Sequence, residues 1–235
     1  MKKAILFDLY DTILKDISFD FKAGIKWLYS TYFAQACTWE ELKVYEETFW
    51  PLFAKRKEDN SEICLIRDEV AKIFEKFEVA LPDNLEELDY VIMNHIQKET
   101  VLDEVRETLE QLRRQGVHMY ILSNSIFTGK TTERLLKDFG ILQYFTKVYA
   151  SADYGVRKPG EKFFSIAIEE ILETHPEMEK NDILYVGNDY VTDVQGAKAA
   201  GLDVVWYNVK QLPDEKEICS YNITKFSEIL NVIWN

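Results

Sequence analysis

Two textures alternate along the chain. Residues 3–9 (KAILFDL) are a short apolar run that stops at Asp8, the pattern of a buried strand. From about 17 to 98 the apolar positions fall instead at helical spacing: Phe21, Ile25 and Leu28, then Leu42, Tyr45 and Phe49, then Ile66, Val70 and Ile73, then Leu85, Leu88, Ile92 and Ile96. This spacing predicts amphipathic helices and no strand, so the block reads as a helical insertion whose aromatic residues serve as core.

After residue 100 short strands and helices take turns. Residues 101–115 predict a helix closed by Gly116, 117–122 (VHMYIL) a strand, and 129–139 a helix closed by Gly140. Strands follow at 146–150, 183–187 (ILYVG) and 203–207, with helices over 160–173 and 192–200. Repeated strand–helix units predict an α/β fold with a parallel sheet covered on both faces. Residues 1–16 and 99–235 then make one core, and 17–98 a separate helical domain. Ligands of such sheets sit beyond the carboxyl ends of the strands.

Polar residues follow those strands. Asp8, Asp11 and Thr12 come after the first, and Ser123 and Asn124 after the second. Lys158 precedes Pro159, and Asn188, Asp189 and Asp193 follow ILYVG. Brought to one edge, they form a set suited to phosphoryl transfer. Carboxylates hold Mg²⁺, hydroxyl, amide and ammonium donors hold phosphate oxygens, and an aspartate can attack to give a covalent intermediate. Taken singly, each has a plainer role as a cap, a turn or a solvated lysine.

Totals narrow the partners. The chain has 235 residues, 47% of them hydrophobic, enough for a packed core. A net charge of −13 argues against nucleic acid or an anionic membrane, which call for clustered cations. Cys37, Cys64 and Cys219 are scattered and lack metal or disulfide spacing, which fits a reducing compartment. No apolar stretch is long enough for a signal segment or a membrane span, so a soluble, cytoplasmic chain is expected. His95, His118 and His175 show no ligand spacing and read as structural or exposed.

The motifs FDLYDTIL, ILSNS, VRKPGEKFF and YVGNDYVTDVQGAKAAG resemble, in order, those of the haloacid dehalogenase-like (HAD) hydrolases. The resemblance covers nearly the whole chain. It implies a Rossmann-like, doubly wound parallel sheet with an inserted α-helical cap. It also implies that Asp8 is the nucleophile and that Lys158 neutralises charge around it. Thr12, Ser123 and Asn124 would hold the transferred group. Mg²⁺ would sit among Asp8, the Tyr10 carbonyl and the fourth-motif acids, with Asp189 preferred as direct ligand and Asp193 as ligand or support.

One position departs from the phosphatase pattern. Family phosphatases carry an acid two residues after the nucleophile, and here that residue is Tyr10. Strand periodicity places Asp11 on the opposite face from Asp8, yet Asp11 remains the nearest other acid and a candidate catalytic group. A Mg²⁺-dependent phosphatase of a small phosphorylated metabolite, monomeric or homodimeric, is the leading expectation. Two others stand beside it. A 2-haloacid dehalogenase needs no leaving-group acid, though its family's cap arginine is missing from QACTWEE; a binding protein with little turnover is the other. Cap residues Lys22, Lys26, Arg56 and Arg67 are candidates for choosing the substrate.

Overall fold

Every residue of strand β1, Ala4–Phe7, is buried. Ile5 and Phe7 join one apolar layer, and Ala4 and Leu6 the other. A strand covered on both faces needs this continuous apolar run instead of alternation with polar residues. The computed structural model describes residues 2–214 and 216–233.

After β1 come β2 (Leu14–Phe19) and five helices: α1 (Phe21–Leu28), α2 (Trp39–Glu46), α3 (Trp50–Asp59), α4 (Ala71–Lys76) and α5 (Leu85–Ile96). Strand β3 (Gln97–Val101) leads into the alternating half. There α6 (Val105–Arg114), β4 (His118–Ser123), α7 (Gly129–Asp138), β5 (Lys147–Ala150), α8 (Ser151–Tyr154), α9 (Glu161–Thr174) and β6 (Ile183–Gly187) follow in turn. A π-helical turn, Tyr190–Gln195, runs into α10 (Gly196–Ala199), and β7 (Asp203–Tyr207), β8 (Tyr221–Ile223) and α11 (Ile229–Val232) complete the order.

The main sheet has the order β5-β4-β1-β6-β7-β8, and all its pairings are parallel. Phe7 stands level with Ile121 of β4 and Val186 of β6. Three strands therefore release their chains at one edge. The chain works outward through β4 and β5 and then jumps to β6 on the other side of β1. The crevice at such a reversal is where open α/β sheets bind ligands. Helices α6, α7 and α11 cover the face of Ile5 and Phe7, and α9 and α10 cover the other.

The inserted helices are capped locally. Asp20 accepts from Ala23 N at 3.1 Å, Thr38 and Glu41 form a capping box, and Asn84 accepts from Glu87 N at 3.0 Å. Such caps satisfy amides that have no partner within their own helix. Helices α1 and α5 pack against each other through Gly24, where a Cβ would lie 2.4 Å from Ile96 Cγ1.

The strand-free reading of the insertion needs correction. β2 and β3 pair antiparallel, with a bulge between Asp16 and Ser18, and make a two-stranded stem where the chain leaves and re-enters the core. Apart from Leu14, β2 is exposed, so it lacks the apolar signature that predicts a strand. The stem also explains why the helix expected from residue 101 starts at Val105.

A buried acid strains the insertion. Glu69 is 1% exposed, and neither of its carboxylate oxygens has a hydrogen-bond partner among the described residues. Burial, with the Glu46 carboxylate adding to it, pushes its pKa up to about 8. The folded chain keeps a proton that the unfolded chain releases above its ordinary pKa of 4.5, so stability falls as pH rises from there to about 8. Glu69→Met is expected to stabilise the protein at pH 8.5 by on the order of 2 kcal/mol, and by much less at pH 5. Thermal melts at both pH values check this, and an equal gain at both would contradict it.

Candidate active site

Asp8 is the first residue past β1, and the chain doubles back directly after it. The Leu9 carbonyl accepts from Ile13 N at 2.8 Å and from Leu14 N at 2.9 Å. Asp11 turns the corner with φ 57°, in the left-handed region that Asp tolerates better than most residues. This turn buries Thr12 and returns its hydroxyl to Asp8 Oδ2 at 2.9 Å. It also sends Asp11 to the surface, where its Oδ1 accepts from Asp16 N at 3.4 Å. The Asp11 side chain is therefore not brought to Asp8.

Lys158 arrives from the loop that follows α8. Asn124, one residue past β4, clamps its backbone: Asn124 Oδ1 accepts from Lys158 N at 2.8 Å, and Asn124 Nδ2 donates to Lys158 O at 2.9 Å. The Lys158–Pro159 peptide is cis. The Lys158 ammonium is buried and donates to Asp8 Oδ1 at 2.7 Å, Asp193 Oδ1 at 2.8 Å and Tyr185 OH at 2.7 Å. An ammonium has three N–H donors, so none is left over. Asp193 fits because Gly187 ends β6; a Cβ there would lie 2.4 Å from Asp193 Cγ. The other Asp193 oxygen accepts from Asp189 N at 2.9 Å.

The cluster holds one cation between two carboxylates. Burial works to strip the lysine proton, but Asp193 and Asp8 outweigh it and hold the Lys158 pKa above its usual value. Burial pushes Asp8 up to about 6, with Lys158 pulling it down and Asp193 pushing it further up. The Tyr185 phenol is driven well up by burial and by the same two carboxylates. Tyr185 is a member of the site that sequence reasoning missed. Its one signal is a hydroxyl inside the otherwise apolar run ILYVG.

The remaining expected residues differ in what they touch. Ser123 ends β4 at the same sheet edge as Asp8. It is fully buried, and its Oγ has no partner among the described residues. The Tyr10 hydroxyl accepts from Gln97 Nε2 at 3.0 Å, and burial pushes its pKa up. Asn188 Oδ1 accepts from the Thr12 hydroxyl at 3.4 Å. Asp189 is exposed and caps its own helical turn, with Oδ1 accepting from Val191 N at 3.0 Å and Thr192 N at 2.7 Å. Among the described residues, no group of three or more His, Cys, Asp and Glu is placed to hold a metal ion. Any metal must therefore draw on amide and carbonyl oxygens as well. Of the cations in the inserted helices, Arg56 lines a cavity beside Tyr10, whereas Lys22, Lys26 and Arg67 are exposed.

The parallel α/β sheet carries a buried Asp–Lys–Asp cluster at its carboxyl edge. The chain belongs to the haloacid dehalogenase-like hydrolase family, which it matches over residues 5–207. YfnB of Bacillus subtilis, named as a candidate HAD-hydrolase, is 25% identical over 82% of this chain and 78% of its own length. A structure of YfnB bound to magnesium superposes with a TM-score of 0.59 at 22% identity, covering 99% of this chain and 98% of that one. A Thermus thermophilus relative named phosphoserine phosphatase is 24% identical over 92% of each chain. A 2-haloacid dehalogenase from Pseudomonas syringae shares the fold with a TM-score of 0.71 at 20% identity over the whole of both chains. No helix among the described residues is long and apolar enough to cross a membrane.

Removing the central cation tests the cluster. Lys158→Met leaves two buried carboxylates facing each other, and is expected to cost about 3–5 kcal/mol at pH 8. Without the lysine Asp8 takes up a proton more readily, so the loss shrinks as pH falls towards 5. Urea unfolding at the two pH values reads this out, and a pH-independent loss would count against the ion cluster as the cause.

Proposed function

We propose that this hydrolase releases phosphate from a small organic phosphate, with Mg²⁺ as cofactor, through an aspartyl-phosphate at Asp8. The observation that carries the reading is the Ser123 hydroxyl. Buried polar groups are normally satisfied. This one has no protein partner and lies at the edge where Asp8 is already held by Lys158 and Thr12. A ligand oxygen would complete it. The Thermus relative named phosphoserine phosphatase supports the same class of substrate.

The donor set fits Mg²⁺. The Asp8 carboxylate, the Tyr10 main-chain carbonyl and Asn188 Oδ1 are all hard oxygens, which Mg²⁺ prefers. Asp8 Oδ2 and Asn188 Oδ1 already converge on the Thr12 hydroxyl. In this reading Asn188 replaces Asp189 as the fourth-motif ligand, because Asp189 caps its own helical turn. Asp193 serves by holding Lys158. When bound, Mg²⁺ supplies positive charge to the phosphoryl oxygens.

In the first step an Asp8 oxygen attacks phosphorus, and the bond from phosphorus to the leaving oxygen breaks. Thr12 and Ser123 donate to the phosphoryl oxygens, and Lys158 stays an ammonium that offsets their charge. In the second step water attacks phosphorus, the bond from phosphorus to the Asp8 oxygen breaks, and the Asp8 carboxylate returns as inorganic phosphate and the proton shed by the water leave. Asp11 points to the surface and supplies no proton in this scheme. Tyr10 stays protonated, so it can donate a hydrogen bond to the leaving oxygen but is a poor proton carrier near neutrality. Leaving groups that are themselves acidic should depart fastest.

Phosphate release from p-nitrophenyl phosphate is expected to require Mg²⁺ and to fall to background in Asp8→Asn. Full activity in that variant would overturn the reading. Alkyl phosphates are expected to react far more slowly than the nitrophenyl ester. Tyr10→Asp should speed them by roughly 100-fold, with a much smaller gain on the nitrophenyl ester. Equal gains on both would show that leaving-group protonation is not what Tyr10 limits.

Tyr10 also favours a second reading, 2-haloacid dehalogenation, since halide leaves without a proton. Chloride release from 2-chloropropionate without Mg²⁺, and no phosphate release from any ester, would put that reading first.

A further inference from the structure

Beside Tyr10 lies a cavity of about 170 Å³, lined among others by Asn124, Ser125, Arg56, Glu62 and Arg157. Two of its lining residues, Tyr10 and Asn124, connect it to the Asp8–Lys158 cluster. Tyr10 is two residues from Asp8, and Asn124 holds the Lys158 backbone. Its walls come from both domains: Arg56 lies on α3 of the cap, and Arg157 directly precedes Lys158 in the core.

Glu62 joins the two arginines. Its side chain is 1% exposed, and one of its oxygens accepts from Arg56 Nη1 at 2.9 Å and from Ile63 N at 3.1 Å. The other accepts from Ser151 Oγ at 2.9 Å and lies 3.7 Å from Arg157 Nε. One carboxylate thus serves two guanidiniums, and the trio keeps a surplus positive charge. Two donors are also unused. Arg56 Nε and Arg157 Nη1 are both buried and without a partner among the described residues. A buried N–H left unpaired is costly, and a guanidinium fork matches the oxygens of a carboxylate or phosphate. Asp16, from the exposed stem, also lines the cavity. An anionic ligand group therefore turns away from the stem and towards the arginines.

We propose that Arg56 and Arg157 form a second oxyanion subsite, which takes a carboxylate or second phosphate on the substrate at the end remote from the phosphate held at Asp8. This rests on the phosphatase reading and narrows it from any small phosphate to one with a second anionic group. The cavity is smaller than the roughly 300–1,000 Å³ usual for drug-sized ligands, so a short carbon chain separates the two anions.

The test compares 3-phosphoglycerate with glycerol 3-phosphate, which lacks the carboxylate, and with 1,3-bisphosphoglycerol, which carries a phosphate in its place. The wild-type kcat/KM is expected to favour one or both doubly anionic esters over glycerol 3-phosphate by roughly 10- to 100-fold. Preference for the carboxylate ester or for the bisphosphate names the source of the oxyanion. Arg56→Met should collapse that ratio towards one, leaving Glu62 paired with Arg157. Arg157→Lys, which keeps the charge and loses the fork, should leave an intermediate ratio. A wild-type ratio near one, or a ratio unmoved by both substitutions, overturns the subsite. If no ester is hydrolysed, calorimetric binding of the same three compounds to wild type and Arg56→Met decides separately. Arginine-dependent preference for the doubly anionic compounds keeps the subsite while the phosphatase reading falls, and equal binding of all three removes the subsite.

Discussion

The buried Lys158 ammonium is the interaction on which the rest of the site depends. Its three donors are taken by Asp8, Asp193 and Tyr185, which come from the ends or interiors of separate strands and turns. A charge this deeply buried is tolerated only when its partners are complete. The glycine that ends β6 and the amide clamp of Asn124 can both be understood as requirements of that one contact. Each brings a partner, or the lysine itself, to within hydrogen-bond reach. The arrangement also fixes how Asp8 is presented. Asp8 has one oxygen on the cation and the other on the Thr12 hydroxyl, so its carboxylate cannot rotate freely.

The parallel sheet makes this possible at little cost in sequence. Because Phe7, Ile121 and Val186 are in register, residues far apart in the chain leave the sheet at the same level. The same register explains why much of the site was legible in the amino-acid sequence. A strand buried on both faces must be a short apolar run, so the polar residue that ends it stands out. Asp8, Ser123 and the group after Gly187 were visible for that reason. Lys158 was visible through its place beside Pro159 and ahead of a helix.

What was not legible depended on pairing or on turn geometry. β2 and β3 hold each other in place, and neither LKDISF nor QKETV carries an apolar run of its own. Alternation along the strand sets Asp11 apart from Asp8, and so does the fold, but through a left-handed turn after β1 has ended at Phe7 and not by strand alternation. The neighbours Asn188 and Asp189 are alike in sequence terms. Only the fold shows that one meets the Thr12 hydroxyl while the other caps a helical turn. Glu62 and Arg157 lie far apart along the chain, and nothing local announces that they meet.

The short backbone pairing between cap and core has a mechanical consequence. Ser61 bridges Val156, Glu62 N donates to Gly155 O at 3.0 Å, and Arg157 N donates to Asn60 O at 3.0 Å. Without this pairing, the two strands of the stem would be the main backbone link between the inserted helices and the sheet. The added seam is sewn to the very loop that carries Lys158. Any movement that parts the domains there must either unpick the seam or drag the lysine with it. Any displacement of residues 60–62 is therefore passed directly to the backbone next to Lys158.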